Sequence, residues 1–410
     1  MPPIAEFAAL GALDNIWFIA AFWMGLALLA SLVSIRLGVS VALAEILVGV
    51  LAGNVLHLTT TPWIDFLATF GAGVLTFLAG AEIDPDSLRR HLKPSLAIGI
   101  VSFVFPFLGA LFFAYSVAGW EWRASQIAGV ALSTTSVAVV YAVMAETGLN
   151  QTDLGKLILA ACFVTDFGTV LALGLLFANF NIWLAVFVAV TAVVLWNLTR
   201  VTRWVLAHYG NRVSEPEIKF LFLVLFLLGG FATTAKSEAV LPAYLVGLVV
   251  AGTFLRDRTL AVRMRSIAFA ILTPFYFLKA GLFVSLPAVA SGFGLIVALL
   301  GVKMVAKVLG VWPLTRLFRM GPQEGMYTTL LMSTGLTFGT ISALFGLTNG
   351  IISQEQYTVL VTVVIGSAVV PTLIAQAFFK PDLAEGDQEA TAAPVGVPGE
   401  AFHALGGRDD

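Results

Sequence analysis

The amino-acid sequence predicts an all-α membrane protein with many transmembrane helices, and three observations support that prediction. Hydrophobic residues make up 59% of the 410 residues, whereas charged residues make up only 11%. Soluble domains carry about 25% charged residues, so this chain cannot cover a water-facing surface and must be solvated mainly by lipid. The mean hydropathy is +0.96, and apolar runs of about 20 residues, the length that spans a bilayer core, recur along the chain.

Charged, polar and Pro- or Gly-rich breaks divide the chain into thirteen apolar segments. The first segment has no Lys or Arg before it, so we expect a retained membrane span rather than a cleavable signal. The acidic, Ala-, Gly- and Pro-rich residues 381–410 predict a disordered tail. The segments are 15–36, 41–57, 63–82, 94–118, 124–146, 156–178, 181–207, 219–236, 239–255, 266–288, 292–317, 324–347 and 356–379.

The positions of Lys and Arg predict how these segments are oriented. Short cytoplasmic loops are rich in Lys and Arg. With the N-terminus outside, 17 of the 22 Lys and Arg residues fall in inside loops, at the inside ends of spans or in the tail, 2 fall on the outside, and 3 lie deep within apolar segments. We therefore expect a multi-pass inner-membrane protein with an outside N-terminus and a cytoplasmic C-terminus. Thirteen spans also form two inverted six-span halves around one linker span, a layout of secondary transporters.

Two of the segments carry polar residues and glycines at their middle. Each is the fifth span of its half, and such matched interruptions predict two discontinuous helices that cross at a binding site. Unwound backbone would free carbonyl groups and helix ends to hold a cation. The alternative is that these small side chains only allow close helix packing. The residues are Ser133, Thr134, Thr135 and Ser136 in the fifth span and Ser333, Thr334, Gly335, Thr337, Gly339 and Thr340 in the twelfth.

Asp166 lies about ten residues from each end of the sixth span, close to the predicted bilayer midplane. An ionisable group at that depth costs about 2.5–3.5 kcal/mol and indicates a functional site. One carboxylate can hold a monovalent cation or a proton but not both, which is the chemistry of antiport. The alternative is that Asp166 forms a structural ion pair with a lysine.

The adjacent Thr165 points about 100° away from Asp166, so its hydroxyl either contacts the ion or bonds to its own helix backbone.

Three lysines also fall inside apolar segments. Lys303 and Lys307 are one helical turn apart in the eleventh span and share a face, so at least one of them needs a carboxylate or a polar cavity, unless it reaches an interface. Lys279 lies in the tenth span, outside the interrupted helices, and we expect it to form a structural ion pair with Glu238 or Asp65. All four histidines lie in loops or the tail.

Other functions compete with cation exchange. A sodium-coupled carrier of organic anions could use the buried lysines as counter-charges, and a sensor without transport could use a transporter fold. A potassium channel would need a carbonyl selectivity filter, and no TVGYG-like run occurs. An intramembrane aspartyl protease would need two central aspartates, and Asp166 is the only central one, so no enzyme activity is expected.

Over residues 15–380, the sequence resembles the monovalent cation:proton antiporter superfamily, in its branch of bacterial sodium/proton and potassium/proton antiporters. The order and spacing of short motifs carry the resemblance. The motifs are AEILVGVLAGN, FLAGAEIDPDSLRR, STTSVAVV, TDFGTV, LPAYLVGLVVAG, AKVLGVWPLTR and GLTFGT followed by GLTNGIISQEQYTVLVTVVIGSAVVPTL.

The resemblance implies a homodimer that works by an elevator motion. It assigns a core domain to about 94–178 and 292–380, a dimerisation domain to about 15–82 and 219–288, and a linker span to about 181–207. It gives Asp166 the ion and proton role, makes Lys307 the basic residue of the core, and sets Thr134 and Thr135 on the first broken helix. No cofactor is expected besides the transported Na⁺ or K⁺ and H⁺, and no nucleic acid as a partner.

The sequence departs from the family pattern at one residue of the site. Electrogenic relatives carry an acid at the position of Thr165, next to the ion-binding aspartate. With threonine there, only one central carboxylate can carry protons, and we expect electroneutral one-for-one exchange. The lysine also loses its usual partner, which leaves the roles of Lys307 and Lys303 open at this point.

Overall fold

A computed structural model describes residues 15–37, 40–81, 83, 92–147, 149, 152–177, 181–210, 212–235 and 240–381, and every regular element within them is a helix. The predicted tail from residue 382 and the candidate partner Glu238 lie outside these ranges. The helices are α1 Ile16–Leu37, α2 Val41–Val55, α3 Pro62–Ala81, α4 Leu92–Ser116, α5 Trp122–Ser133, α6 Val137–Thr147, α7 Asp153–Leu176, α8 Ile182–Tyr209, α9 Pro216–Thr234, α10 Val240–Arg256, α11 Arg258–Ile267, α12 Thr273–Leu282, α13 Leu286–Ser291, α14 Phe293–Leu317, α15 Pro322–Met332, α16 Thr337–Thr348 and α17 Gln354–Phe378.

The length and composition of these helices confirm an all-helical, multi-pass membrane protein. Within the described ranges, ten helical stretches are long and apolar enough to cross a bilayer. Two of the ten join neighbouring helices: α11 and α12 through a π-helical turn at Ala268–Leu272, and α15 with α16 across a short break. The apolar helices α2 and α10 are shorter, with 15 and 17 residues, and they coincide with the two segments that are also short in the sequence.

Glycines let two pairs of helices approach until their backbones touch. A side chain at Gly49 of α2 would collide with the carbonyl oxygen of Leu278 in α12. At Gly247 of α10, a side chain would likewise collide with the carbonyl oxygen of Phe77 in α3. Small residues at a helix crossing permit this approach, and the close contact gains dispersion energy where no hydrophobic effect acts between helices in lipid.

Four helices, α4, α7, α14 and α17, surround the two interrupted spans. Helix α4 packs against α5, α7 and α14, and α14 in turn packs against α15 and α17. Helix α7 contacts both halves of each interrupted span, α5 with α6 and α15 with α16. The side chains of α4, α7, α14 and α17 therefore meet around the breaks in the two spans.

Candidate functional site

Both interrupted spans have helix breaks within the polar stretches that the sequence indicates, but the breaks are shorter than predicted: Ser133 still belongs to α5, and Thr337, Gly339 and Thr340 belong to α16. The first break is Thr134–Ser136, between α5 and α6, and its first residue has an extended backbone with ψ of 155°. The second break is Ser333–Leu336, between α15 and α16. Helix ends leave backbone carbonyl groups without partners, and the breaks bring such groups into the middle of each span.

Hydroxyl side chains at the breaks donate hydrogen bonds to some of these backbone carbonyl groups. Thr134 Oγ1 donates to the carbonyl oxygen of Ala131 at 3.1 Å, and Thr334 Oγ1 donates to that of Leu331 at 2.8 Å. The hydroxyls thus bond to the last turn of the helix that precedes them, which offers the backbone an alternative to continuing the helix.

The two breaks are in direct contact with each other. Thr135 Oγ1 donates a hydrogen bond of 2.9 Å to the carbonyl oxygen of Met332, the last residue of α15. The backbone N–H of Ser136 donates to Thr334 Oγ1 at 3.4 Å. Residues almost 200 positions apart in sequence therefore form one polar crossing, in which all four of these residues are buried.

The carboxylate of Asp166 is buried and has an oxygen without a hydrogen-bond partner. Asp166 is 1% exposed, and its Oδ1 atom accepts no hydrogen bond from the part of the chain that the structure describes. The ion pairs between described residues do not include it. An unsatisfied buried acceptor costs about 1–3 kcal/mol, and more when charged, so this carboxylate is costly for the fold but open to a ligand.

A sulfur contact shows that Asp166 lies on the side of α7 that faces the crossing. Cys162 lies one turn before Asp166, and residues at i and i+4 of a helix share a face. Cys162 Sγ lies 3.7 Å from the sulfur of Met332, at the end of α15. The carboxylate and the second break are therefore neighbours in the interior of the protein.

Lys307 is bound to the first broken helix. Its fully buried Nζ donates to Ser102 Oγ at 2.8 Å, to the carbonyl oxygen of Ser133 at 3.1 Å and to Thr135 Oγ1 at 3.1 Å. Ser133 is the last residue of α5, where the helix dipole is negative. The ammonium group therefore connects α14 and α4 to the end of α5. It is also near enough to Asp166 to interact with it electrostatically.

Lys303 is directed to the second broken helix. Its Nζ, also fully buried, donates to Ser367 Oγ of α17 at 2.9 Å. Ser367 Oγ lies 2.8 Å from the carbonyl oxygen of Val364 and 3.4 Å from that of Gly335, within the second break. The two lysines share one face of α14, but each serves a different broken helix.

The threonines predicted near the ion differ in what they contact. Thr165 Oγ1 donates to the carbonyl oxygens of Ala161, at 3.0 Å, and Gly99 of α4, at 3.3 Å, so its hydroxyl is bonded to backbone, as the alternative interpretation states. Thr337 is the first residue of α16 and is half-buried. Thr134, Thr135 and Thr334 all lie at the crossing.

Two serines with functional contacts were not identified from the sequence. Ser102 and Ser367 lie in apolar helices that carry other buried hydroxyl residues as well, Ser95 in α4 and Thr358 in α17, and nothing in the local sequence distinguishes them. Matched position could have identified Ser367: it lies thirteen residues after Gln354, where α17 begins, and Asp166 lies thirteen residues after Asp153, where α7 begins.

Lys279 forms the structural ion pair that the sequence predicts. Its Nζ lies 2.7 Å from Oδ1 of Asp65, near the start of α3, and the lysine side chain is 8% exposed while that of Asp65 is 45% exposed. The expected pairing is thus confirmed for Asp65, on helices that do not take part in the crossing.

Comparison with known proteins identifies the family. The model of the family described as "Sodium/hydrogen exchanger, transmembrane" matches residues 24–380. The chain is 22% identical over 351 residues to the probable Na(+)/H(+) antiporter 3 of Methanocaldococcus jannaschii, covering 83% of this chain and 89% of that protein. It is 26% identical over 388 residues to the Na(+)/H(+) antiporter NhaS4 of Synechocystis, covering 86% and 93%, and 23% identical over 350 residues to the Na(+)/H(+)-K(+) antiporter GerN of Bacillus cereus, covering 82% and 89%.

A solved structure shares the fold. The sodium proton antiporter MjNhaP1 of Methanocaldococcus jannaschii aligns over 89% of this chain and 100% of its own, with a TM-score of 0.68 and 16% sequence identity. At that identity the likeness concerns the fold alone. Because the family model matches most of the sequence, the chain belongs to the transmembrane sodium/hydrogen exchanger family, within the superfamily that its motifs resemble, and this is a family of transporters rather than enzymes.

Proposed function

We propose that this protein exchanges Na⁺ or K⁺ for H⁺ by alternating access, with Asp166 as the shared binding group for the cation and the proton. One observation carries the proposal: the buried carboxylate of Asp166 has an oxygen that accepts no hydrogen bond from any described residue, beside two broken helices that contact each other. Ion sites in inverted-repeat transporters have the same parts, because unwound backbone and half-helix ends supply oxygens to a cation. The names of the sodium/proton and sodium/proton-potassium relatives support the choice of ligands.

The chemistry follows from the competition of two ligands for one group. An ionised Asp166 supplies the negative charge that a dehydrated cation needs, and oxygens of Thr134, Thr135 and Ser136 lie on the adjoining break. A proton on the carboxyl group removes that charge, so the cation leaves. If the site opens to each side of the membrane in turn, and if Asp166 crosses only with one ligand bound, exchange is the result.

We infer electroneutral exchange of one cation for one proton. The position next to Asp166 is Thr165, whose hydroxyl is bonded to backbone oxygens and cannot release a proton in the physiological range. Lys307 is held by three oxygen acceptors at the first broken helix. Asp166 is then the group that gives up a proton when a cation enters.

The proposed architecture has thirteen spans, with an outside N-terminus, in two inverted repeats. Helix packing supports the repeats: a two-fold axis that exchanges spans two and nine also exchanges spans three and ten. Spans two, three, nine and ten contain α2, α3, α10 and α12, respectively. The axis therefore relates the pair α2 and α12 to the pair α10 and α3, and both pairs are in close contact through glycines. We place the protein as a homodimer in a bacterial inner membrane, with α4–α7 and α14–α17 as the moving core.

Transport in liposomes tests the proposal. The purified protein is reconstituted, a pH gradient is imposed, and Na⁺, K⁺, Li⁺ and Rb⁺ are added in turn. We expect proton movement with Na⁺ or K⁺, and its loss in Asp166→Asn. Asp153→Asn, which removes an exposed carboxylate from the first turn of the same helix, serves as the control and should transport normally.

Each alternative function gives a different result in the same liposomes. Proton movement with none of the four cations would end the antiporter proposal, and flux that required an organic anion would indicate a carrier instead. Transport that survives in Asp166→Asn would show that the site lies elsewhere.

A further inference from the structure

The ammonium group of Lys303 lies where the two broken helices cross. A side chain at Gly335, in the second break, would collide with Lys303 Nζ, and the same added carbon would lie 2.9 Å from Thr134 Oγ1 of the first break. Nζ is therefore in contact with the second break and close to the first. Ser367 Oγ, 2.9 Å away, is its hydrogen-bond partner among the described residues.

This location has the electrostatics of a cation site. Helix α15 ends at Met332, and a helix C-terminus carries a partial charge of about −0.5. Free carbonyl groups and half-helix C-termini are the groups that bind cations in discontinuous helices. The second broken helix therefore offers a cation position of its own, and a lysine side chain reaches into it.

The first and second halves differ at the position of Asp166. In α7 that position is a carboxylate with an oxygen that has no hydrogen-bond partner within the described ranges. In α17 the matching position is Ser367, a neutral hydroxyl that already accepts a hydrogen bond from the Lys303 ammonium. The first half thus offers a carboxylate to a mobile cation, and the second half offers a hydroxyl that already bonds to the ammonium group of a lysine side chain.

We propose that Lys303 is a tethered cation that fills the second half's ion position, so that the crossing binds one mobile cation rather than two. This inference rests on the proposed function, because it takes the first position, at Asp166, as the mobile one. Two unit charges 4 Å apart repel by about 4 kcal/mol at an effective dielectric constant of 20. A fixed ammonium at the second break would thus exclude a Na⁺ or K⁺ ion from the same place.

Binding stoichiometry tests the inference in the purified full-length protein. Radioactive sodium and rubidium are titrated to saturation at neutral pH, so that excess cation displaces the proton from Asp166 while Lys303 still carries its charge. Lys303→Gln keeps a donor for Ser367 at similar length and removes the charge, whereas Lys303→Arg keeps the charge. We expect one bound cation per protomer in the wild type and in Lys303→Arg, and two in Lys303→Gln. A folded Lys303→Gln protein that binds only one cation would overturn the inference.

Two further variants keep the result decisive. If Lys303→Gln does not fold, the double variant Lys303→Gln/Ser367→Asp supplies a carboxylate to the vacated position and should bind two cations; one cation would again overturn the inference. Lys303→Gln/Asp166→Asn should bind a single cation, at the second position. A wild type that binds no cation would contradict the proposed function, while a cation gained by Lys303→Gln over that baseline would still support the role of Lys303.

Discussion

Two ionisable side chains near the crossing, Asp166 and Lys307, are equally buried but differ in their polar partners. Lys307 makes three hydrogen bonds, to a serine, a carbonyl group and a threonine, whereas one oxygen of Asp166 has no hydrogen-bond partner in the part of the chain that the structure describes. Burial of a charge is stabilising only when partners compensate the lost hydration. At the scale of single residues, one of these groups therefore supports the fold and the other weakens it.

Replacing Lys307 by alanine should destabilise the protein strongly. The change leaves Ser102, Thr135 and the end of α5 without their donor, and it creates a cavity, so we expect a loss of about 2–5 kcal/mol. Thermal unfolding in detergent, followed by the amount of protein that stays soluble and monodisperse, measures the effect. An unchanged midpoint would mean that the three hydrogen bonds contribute little.

Asp166→Asn should act in the opposite direction and raise the unfolding temperature. The amide cannot ionise, so the fold no longer holds a carboxylate without compensating partners, and we expect stabilisation by about 1–3 kcal/mol. The same heating experiment measures it, with Asp153→Asn as the control at an exposed position of the same helix. A fall in the midpoint would indicate that the carboxylate has a stabilising partner.

The pH dependence of transport follows from competition for Asp166. Lowering the pH should raise the cation concentration needed for half-maximal exchange, because protons occupy a larger share of the carboxylates. The maximal rate at saturating cation should change less, since excess cation displaces the proton. Initial rates in liposomes with equal pH on both sides, at several cation concentrations, measure this. A half-saturation concentration that is independent of pH would contradict a shared site.

At the scale of helices, the breaks could be predicted from the sequence and their contacts could not. Thr134–Ser136 and Ser333–Leu336 interrupt apolar spans at matched places, which is a local signal. The partners of Lys307 are long-range: Ser102 is 205 residues away and Thr135 is 172 residues away. No periodicity within a span encodes which neighbouring helix it will contact. The sequence therefore does not distinguish an ion pair between Lys307 and Asp166 from the hydrogen bonds that Lys307 makes in the structure.

Gly247→Ala should disrupt the crossing of α10 and α3. The added methyl group would meet the carbonyl oxygen of Phe77 and lie 2.8 Å from the backbone nitrogen of Ala81, so the helices must separate. Overpacking of this kind costs about 1–3 kcal/mol. Gly252→Ala is the matched control on α10, because nothing lies within 4 Å of its added carbon. Size-exclusion profiles after mild heating should separate the two variants; equal profiles would contradict the packing argument.

At the scale of the whole molecule, the stoichiometry predicts the response to voltage. Moving one net charge across the membrane is worth about 2.3 kcal/mol per 100 mV, so an electrogenic exchanger would change its rate when a potential is imposed. We expect exchange rates in liposomes to be insensitive to a potassium–valinomycin potential when Na⁺ is the transported ion. A strong dependence on voltage would show that unequal numbers of protons and cations move, and Lys307 or Lys303 would then be the group to test.

The glycine crossings also limit where the molecule can deform. Where α2 meets α12 and α3 meets α10, carbonyl groups abut Cα atoms, so no layer of side chains remains there to change rotamer or slide. Rigid contacts of this kind transmit force without yielding, since packed interiors have little compressibility. These four helices should therefore move little relative to one another during a transport cycle. Displacement should instead occur along surfaces lined by flexible side chains, such as those of α7 that face α10.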